Sequence, residues 1–427
     1  MDDFASERGP DLREFAATLL RYDTTGGNEA PAQAFVREKL DDLGFETYEW
    51  TADAAELAAH PSFPDDTDAI PVEGRPSVGG VLEFGNPDAG PTLVLNGHVD
   101  VVPAAGESWS SDPFEPTWRD EEGADGTETL TARGAADMKC GLAACVFAAK
   151  HLAESAPVDL DGRLVVESVA GEEEGGIGAA AAALSNPYPF ERDAAIIAEP
   201  TDLRPVVASE GSLMKRLRIE GRSAHAATRW RGVDVLPYFE EIRRTFRDLE
   251  AERCETVAHP LYEAFPVPWP VVVGRVEAGD WASSVPAELA AELRIGVAPG
   301  ETVAEVEAAF EERLAGLVAA DDWLADHPPE FERFSVQFEP SEIDPDEPVV
   351  GAVQRAMAAN DLDDAEPRGA TYGADARWYI EAGVPTVMFG PGSIEQAHFP
   401  DETVGWSAVL TAGQVLADAA AEFLRAE

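Results

Sequence analysis

The fold is decided by a short stretch of sequence, Thr92-Leu93-Val94-Leu95-Asn96-Gly97-His98-Val99-Asp100-Val101-Val102. Its apolar run, Leu93 to Leu95, is typical of a strand that is covered on both faces of a parallel sheet. His98 and Asp100 follow where the run ends, and a spacing of two points both side chains the same way in extended chain. Because ligands of open α/β sheets bind beyond the carboxyl ends of the strands, this pair is placed for a metal or for acid–base chemistry.

Three further predicted strands, at residues 164–169, 194–198 and 384–389, are also followed by side chains that can bind a metal or move a proton. Strands that alternate with helices in this way imply an α/β fold, with a mostly parallel sheet and helices on both faces. The ends of these four strands and the start of one Ala-rich helix carry His98, Asp100, Asp137, Glu172, Glu173, Glu199 and His398.

Some of these carboxylates also have ordinary structural explanations. Asp137 stands where a carboxylate is favoured as the N-cap of the Ala-rich helix. Glu172, Glu173 and Glu174 could be one more acidic surface loop, although three adjacent carboxylates repel one another unless cations are present. Their position at a strand exit favours a functional interpretation.

The residue types suit a pair of zinc ions, because zinc favours histidine nitrogen and carboxylate oxygen. Two ions about 3.5–4 Å apart can polarise a carbonyl and activate water near neutral pH. The predicted ligands are His98 and Glu199 for one ion, Glu173 and His398 for the other, and Asp137 between them. Asp100 would orient His98 through its second ring nitrogen. Glu172 is left over beside a ligand and suits a general base.

The charge balance is extreme, with 82 acidic residues against 31 basic ones and a formal net charge of −51. This excess is spread along the chain, and four of the basic residues are lysines. The composition resembles that of proteins from salt-accumulating halophiles, with an ordinary acidic protein as the alternative. Such a surface argues against nucleic acid or an anionic membrane as a partner.

At 427 residues, the chain is long enough for two domains. Strand and helix patterns in its middle predict a compact α+β insert at residues 211–340. Residues 1–210 and 341–427 would then form the first and second parts of the catalytic domain. The N-terminus lacks a secretory signal pattern, and no apolar stretch is long enough to cross a bilayer. Three cysteines without metal-site spacing indicate reduced thiols and a cytoplasmic protein.

Five stretches resemble a zinc-dependent family that includes acetylornithine deacetylase, succinyl-diaminopimelate desuccinylase, aminoacylase and glutamate carboxypeptidase. They are Gly97-His98-Val99-Asp100-Val101-Val102-Pro103, Arg133-Gly134-Ala135-Ala136-Asp137-Met138-Lys139, Gly171-Glu172-Glu173-Glu174-Gly175-Gly176, Ala198-Glu199-Pro200-Thr201 and Ala397-His398-Phe399-Pro400-Asp401-Glu402. The resemblance, strongest to the acetylornithine-deacetylase-like branch, implies two zinc ions and the roles given above. Cobalt or manganese would suit the same ligands.

The resemblance also implies a lid domain that interrupts the catalytic domain and often forms a homodimer. His225 matches a lid histidine that reaches the partner's active site and stabilises an oxyanion, with a hydrogen-bonded surface histidine as the alternative. Arg294 matches a lid arginine that pairs with the substrate carboxylate, with a strand arginine on an acidic surface as the alternative. Ser283 stands where many relatives have a substrate-binding asparagine.

The function that follows is removal of an acyl group from an N-acyl amino acid or a similar small amine. A dipeptidase or carboxypeptidase of the same family, a succinyl-diaminopimelate desuccinylase and a non-catalytic metal-binding scaffold are the alternatives. Glu210 replaces a basic residue of some members, which weakens the succinyl alternative. Asp375 and Arg377 follow a Gly-rich turn and are candidates to shape the pocket.

Overall fold

The computed structural model describes residues 3–104, 108–120, 128–155 and 160–425. The helices of these residues are α1 (Phe4–Leu19), α2 (Ala30–Asp42), α3 (Ala54–Ala58), α4 (Lys139–Ser155), α5 (Ile177–Leu184), α6 (Leu236–Thr256), α7 (Val303–Ala320), α8 (Asp322–Asp326), α9 (Pro348–Ala359), α10 (Ala376–Glu381) and α11 (Trp406–Phe423). The strands are β1 (Glu46–Thr51), β2 (Pro76–Phe84), β3 (Thr92–His98), β4 (Thr117–Asp120), β5 (Glu128–Thr131), β6 (Gly162–Val169), β7 (Ala194–Ile197), β8 (Val206–Ser209), β9 (Gly211–Glu220), β10 (Val271–Ala278), β11 (Glu288–Val297), β12 (Glu330–Arg333), β13 (Ser341–Glu342), β14 (Arg368–Ala370), β15 (Thr386–Met388) and β16 (Thr403–Gly405).

The largest sheet has nine strands, eight of them in the order β1-β2-β6-β3-β7-β15-β8-β13, while β14 pairs with β8. Its centre, β6-β3-β7-β15, is parallel, whereas β1, β2 and β13 run antiparallel to their neighbours. Helices pack on both faces. The predicted α/β class is therefore confirmed, and the sheet is mixed because its edges are antiparallel.

The four strands that carry the predicted site lie side by side, and their ends are level. His98 of β3 pairs with Val169 of β6, and Asn96 of β3 pairs with Ile197 of β7. Ile197 in turn pairs with Met388 of β15. Since all four strands point the same way, the residues that follow them gather at one edge of the sheet.

Helix α4 packs against this sheet at short range because its sequence is rich in Ala and has Gly141 at the contact. A Cβ on Gly141 would lie 2.2 Å from the carbonyl oxygen of Ala198, so a larger residue would push the helix away. The close approach brings Asp137, two residues before the first residue of α4, to the edge where β3 and β7 end.

The second main unit is a four-stranded antiparallel sheet, β10-β11-β9-β12, covered by α6 and α7. We call this unit the four-stranded layer. Side chains of β11 alternate between buried and partly exposed positions, as expected of a sheet with one covered face. Strand β12, with four residues, was not predicted from the sequence. The division of the chain at residues 1–210, 211–340 and 341–427 stays a prediction.

The third sheet, β16-β5-β4, places the segment after His398 beside the turn that holds Asp137. Thr403 of β16 pairs with Thr131 of β5. The acidic, turn-rich sequence between Trp109 and Gly134 predicts a hairpin around Gly123 to Gly126, and the flanking strands β4 and β5 are antiparallel. The tip of that hairpin lies outside the described residues.

Residues 52–76 depart from the surface excursion that their Asp and Pro content suggests. They include α3, and the buried ring of Phe63 stacks on Trp378 at a centroid distance of 5.5 Å. Arg75 is also buried. Helix α1 begins at Phe4 and continues through Pro10, earlier than the periodic pattern suggests, because Phe4 packs fully inside the core.

Across the described residues, every helix is too short or too polar to cross a membrane. Cys140, Cys145 and Cys254 are free thiols.

Candidate metal centre

The five predicted ligands meet at the edge of the central sheet, in two groups that share Asp137. In the first group, His98, Asp137 and Glu199 offer ligand atoms that all lie within 4.8 Å of one another. His98 Nε2 lies 3.1 Å from Asp137 Oδ1. All three side chains are buried, so this half of the centre is closed to solvent.

The second group consists of Asp137, Glu173 and His398. His398 Nε2 lies 3.2 Å from Glu173 Oε1 and 3.6 Å from Asp137 Oδ2. Asp137 therefore turns one oxygen to each histidine, which is the arrangement of a carboxylate that bridges two ions. The side chain of His398 is 54% exposed, so this half of the centre is open.

Two polar atoms of the first group fit a bound cation. His98 Nδ1 lies 2.9 Å from the carbonyl oxygen of Asp100, which can only accept, so the ring proton belongs on Nδ1. Nε2 is then the ring nitrogen that can bind a metal ion, and when it is protonated instead it donates to Asp137 Oδ1. Glu199 Oε1 is buried and lacks a hydrogen-bond partner among the described residues. A metal ion would satisfy both atoms, since neutral imidazole nitrogen and carboxylate oxygen are zinc ligands.

Asp100 supports the centre in a way that differs from the expected carboxylate–histidine contact. Its backbone carbonyl, and not its carboxylate, accepts from His98, while Asp100 Oδ1 lies 3.7 Å from Nδ1. The carboxylate instead accepts from the backbone N–H groups of Gly171 at 2.8 Å and Glu173 at 2.9 Å. Asp100 thus holds both His98 and the turn at residues 171–176, which we call the carboxylate turn.

The pKa shifts of Glu199 and His98 reflect burial and the concentration of negative charge at the candidate metal centre. Burial raises the pKa of Glu199 well above its ordinary value, and the charge of Asp137 adds to the shift. Burial would lower the pKa of His98, but its hydrogen bond to Asp137 and the charge of Asp100 raise it well above the usual range. Divalent cations would relieve this repulsion.

Glu172 belongs to neither ligand group, although it lies beside them on the carboxylate turn. Burial raises the pKa of Glu172 well above its ordinary value; nearby His98 opposes the shift, and Asp375 reinforces it. A carboxyl group with a raised pKa binds a proton more readily, which suits a group that accepts and returns one.

Glu402, which has no predicted role, holds the Asp137 turn in place. Its buried carboxylate accepts from Arg133 Nη1 at 2.6 Å, from the N–H groups of Gly134 at 3.1 Å and Ala136 at 2.8 Å, and from that of Asp137 at 3.0 Å. The available signal was that Glu402 belongs to the same family-like stretch as His398.

Arg75 was also missed. A third group of carboxylates, Glu29, Asp100 and Glu174, lies under the carboxylate turn. The Arg75 guanidinium donates to Glu29 and, at 2.8 Å, to Glu174. The cation of this third group is therefore an arginine, and a lone basic residue that follows the acidic stretch 52–74 was the signal in the sequence.

His225 and Ser283 lie together on exposed loops of the four-stranded layer. Ala226 donates its backbone N–H to the Ser283 carbonyl at 2.8 Å, and His225 Nδ1 accepts from the N–H of Ala227 at 3.1 Å. Both side chains are exposed. Within the described part of one chain, the structure does not bring them into contact with the metal ligands.

Arg294 of β11 is paired inside its own chain. Its Nη1 donates to Glu210 Oε1 at 3.1 Å, and its Nη2 donates to the Thr371 carbonyl at 3.4 Å. Burial raises the pKa of Glu210 to about 7, against the attraction of Arg294. Burial also raises the pKa of Tyr372, next to Thr371, and the charges of Glu199 and Asp137 add to that shift. Arg294 thus contacts the segment that contains Tyr372.

Comparison with known proteins identifies the family. The model of peptidase family M20/M25/M40 matches residues 94–422, so the chain belongs to this family. The resemblance drawn from the five sequence stretches is thereby confirmed. The chain is a metal-dependent amidohydrolase.

Relatives differ in the amides that their names describe. The chain is 26% identical over 415 residues to N-formyl-4-amino-5-aminomethyl-2-methylpyrimidine deformylase of Halalkalibacterium halodurans, covering 92% of this chain and 89% of the relative. It is 31% identical over 320 residues to acetylornithine deacetylase of Klebsiella pneumoniae, covering 73% and 74%. Its fold resembles that of the dipeptidase Dug1p of Saccharomyces cerevisiae, with a TM-score of 0.74, 15% identity and coverage of 99% and 98%.

Proposed function

We propose that the protein is a di-zinc deacylase that removes the acyl group from an N-acyl amino acid or a similar small N-acylated amine. The observation that carries this proposal is the pair of ligand groups that share Asp137, with Glu172 beside them and outside both. Cobalt or manganese would suit the same donors. A closed structural site would have no use for a spare carboxyl group or for the exposed side of His398.

Two zinc ions, when bound, supply Lewis acidity that activates water and polarises an amide carbonyl. His98, Asp137 and Glu199 would hold one ion, and Asp137, Glu173 and His398 the other. Glu172 takes a proton from the attacking water and returns it to the leaving amine. Asp100 fixes the ring of His98 through its carbonyl and the carboxylate turn through its side chain.

Residues of the four-stranded layer would bind the rest of the substrate. Arg294 pairs with a substrate carboxylate, and Ser283 contacts the amino-acid part. His225, exposed in one chain, would reach the site of the partner chain and stabilise the developing oxyanion. Glu210 already neutralises part of the charge of Arg294. This pairing favours a substrate whose carboxylate is bound weakly, or an N-acylated amine that has no carboxylate.

The alternatives are a dipeptidase or carboxypeptidase of the same family and a succinyl-diaminopimelate desuccinylase. The Glu210–Arg294 pair disfavours the succinyl group, because a second substrate carboxylate would face a buried acid. The pairing also keeps an N-formylated amine, the substrate type named for the deformylase relative, among the candidates. A non-catalytic scaffold would not require Glu172, a carboxyl group beside the ligands that belongs to neither ligand group.

The test is a substrate panel of N-acetyl amino acids, N-formyl amines, N-succinyl amino acids and dipeptides, assayed in high salt with zinc, cobalt or manganese. We expect N-acetyl or N-formyl substrates to be hydrolysed fastest, with the activity lost on chelation and restored by metal. Full activity of the metal-free protein would contradict the mechanism. Faster hydrolysis of dipeptides would replace the deacylase by the peptidase.

We further propose a homodimer formed through the four-stranded layer, whose edge strand β10 exposes Val272 at 48% and Val276 at 45%. An edge strand with exposed apolar side chains invites pairing with a second copy. The formal charge of −51 and the free thiols favour the cytoplasm of a salt-accumulating cell. Residues 211–340 would be the lid of this assembly.

A further inference from the structure

Hydrogen bonds hold the carboxylate turn near its beginning and near its end. Asp100 accepts the N–H groups of Gly171 and Glu173 on one side. On the other, the carbonyl oxygen of Gly175 accepts from Arg377 Nη2 at 2.9 Å and from Trp378 Nε1 at 3.1 Å. The turn carries a proposed general base and a proposed metal ligand, so anything that moves the Gly175 carbonyl also moves them.

Arg377 joins this carbonyl to two other segments. Its Nη1 donates to Ser62 Oγ and to the Gln337 carbonyl, both at 3.1 Å. The residue is 4% exposed. Burial lowers the pKa of Arg377 to about 10, with nearby Asp375 acting in the opposite direction, so the guanidinium is charged at neutral pH. A buried charge with three partners from three segments fixes those segments relative to one another.

Gln337 belongs to the segment that leaves the four-stranded layer after β12. Its Oε1 accepts from the N–H of Met214 in β9 at 2.7 Å, and its own N–H donates to the Ser62 carbonyl at 2.7 Å. This segment also touches the turn directly. A Cβ on Gly175 would lie 2.4 Å from Val336 Cγ1, and Gly175 has a φ of +104°, so glycine is required there.

We propose that Arg377 is a positioning residue that ties the carboxylate turn to the four-stranded layer through Gln337. This positioning role rests on the function of Glu172 as general base that is proposed above. The continuous path runs from Met214 in β9 through Gln337 and Arg377 to the Gly175 carbonyl. The position of the four-stranded layer relative to the central sheet thereby determines where Glu172 and Glu173 lie at the metal centre.

The test compares Arg377→Ala and Arg377→Lys with Arg192→Met. Arg192 is a second buried arginine, which donates to the Ala182 carbonyl at 2.8 Å and not to the carboxylate turn. For each variant we would measure kcat, KM, thermal stability, metal content and the visible spectrum of the cobalt-substituted protein. The spectrum reports ligand geometry without any substrate, so it remains informative if the proposed deacylase activity is absent.

For Arg377→Ala we expect kcat to fall about 10²-fold with metal content retained, because a shift near 1 Å at the catalytic groups has this effect. The cobalt spectrum should change because Glu173 lies on the same turn. Free guanidinium ion, added well below denaturing concentrations, should restore much of both signals in Arg377→Ala. Arg377→Lys should retain part of the activity, because an ammonium group can reach fewer of the three acceptors.

A folded Arg377→Ala protein with wild-type kcat and spectrum would overturn the proposal. So would losses that match those of Arg192→Met at equal stability, since these would be effects of a buried arginine in general. If Arg377→Ala does not fold, Gln337→Ala takes its place, with a smaller change of kcat and spectrum in the same direction. An unchanged Gln337→Ala protein would then overturn it.

Discussion

The metal-binding edge of the central sheet and the exposed loops of the four-stranded layer are built in opposite ways. At the edge, His98 and Asp137 are buried, and carbonyl, carboxylate and N–H partners hold them from several sides. On the loops, His225 and Ser283 are exposed, and Trp230 and Trp281 are 75% and 73% exposed.

The difference indicates that one chain brings the candidate metal ligands together by itself. The loops have the exposed apolar side chains of a surface that meets another molecule. A second copy would cover such a surface, which is compatible with the role in the partner's site that the family resemblance implies for His225. Substitutions in one region at a time therefore distinguish the chemical step at the sheet edge from the contribution of a second chain through the loops.

The largest effect is expected from Glu172→Gln, which keeps the shape of the side chain but cannot accept a proton. The kcat should fall about 10³-fold or more, while metal content stays near that of the wild type. Steady-state kinetics together with elemental analysis measures both. Glu174→Gln, on the same turn but bonded to Arg75, should lose far less. A fully active Glu172→Gln protein would remove the assignment of the base.

His225→Ala tests the exposed loops and should lower kcat about 10²–10³-fold, the usual cost of losing an oxyanion donor. Mixing it with Glu172→Gln and allowing subunits to exchange should restore activity. Each mixed dimer then has one site with an intact Glu172 and an intact partner histidine, so about a quarter of wild-type activity returns. No recovery in exchanged dimers would place His225 in the site of its own chain.

Glu402→Gln should reduce metal affinity or kcat about 10–100-fold, as is usual for groups that hold metal ligands. The amide cannot replace the charged bonds to Arg133 and the three backbone N–H groups around Asp137. Competition with a metal chelator would measure the affinity. Glu115→Gln, an exposed partner of Arg21, is the matched control and should behave as the wild type. Equal behaviour of the two variants would contradict the role of Glu402.

The smallest effect is expected at Glu210. The raised pKa of about 7 means that Glu210 is mostly neutral at pH 6 and mostly charged at pH 8. Arg294 is therefore freer at pH 6, and the KM for an N-acetyl amino acid should rise a few-fold between pH 6 and pH 8. Glu210→Gln should remove this pH dependence, and an N-acylated amine without a carboxylate should not show it. A pH dependence unchanged in Glu210→Gln would separate Glu210 from substrate binding.

The strand pattern predicted the parallel centre of the sheet and the edge where the ligands gather, because buried parallel strands appear as apolar runs with polar residues at their ends. Short strands such as β13 and β14, with two and three residues, are set by tertiary pairing and leave little periodicity to detect. The supports from Arg75, Glu402 and Arg377 join residues that are distant in sequence. Strand-end position and residue type predicted the residues that meet at this edge, and among their supports predicted Asp100 but not Arg75 or Glu402.

The central claim is that two ions share Asp137, and anomalous diffraction at the zinc edge tests it most directly. We predict two peaks about 3.5–4 Å apart, one on each side of the Asp137 carboxylate, with His98 beside one and His398 beside the other. A single peak, or two peaks that do not share Asp137, would contradict the account.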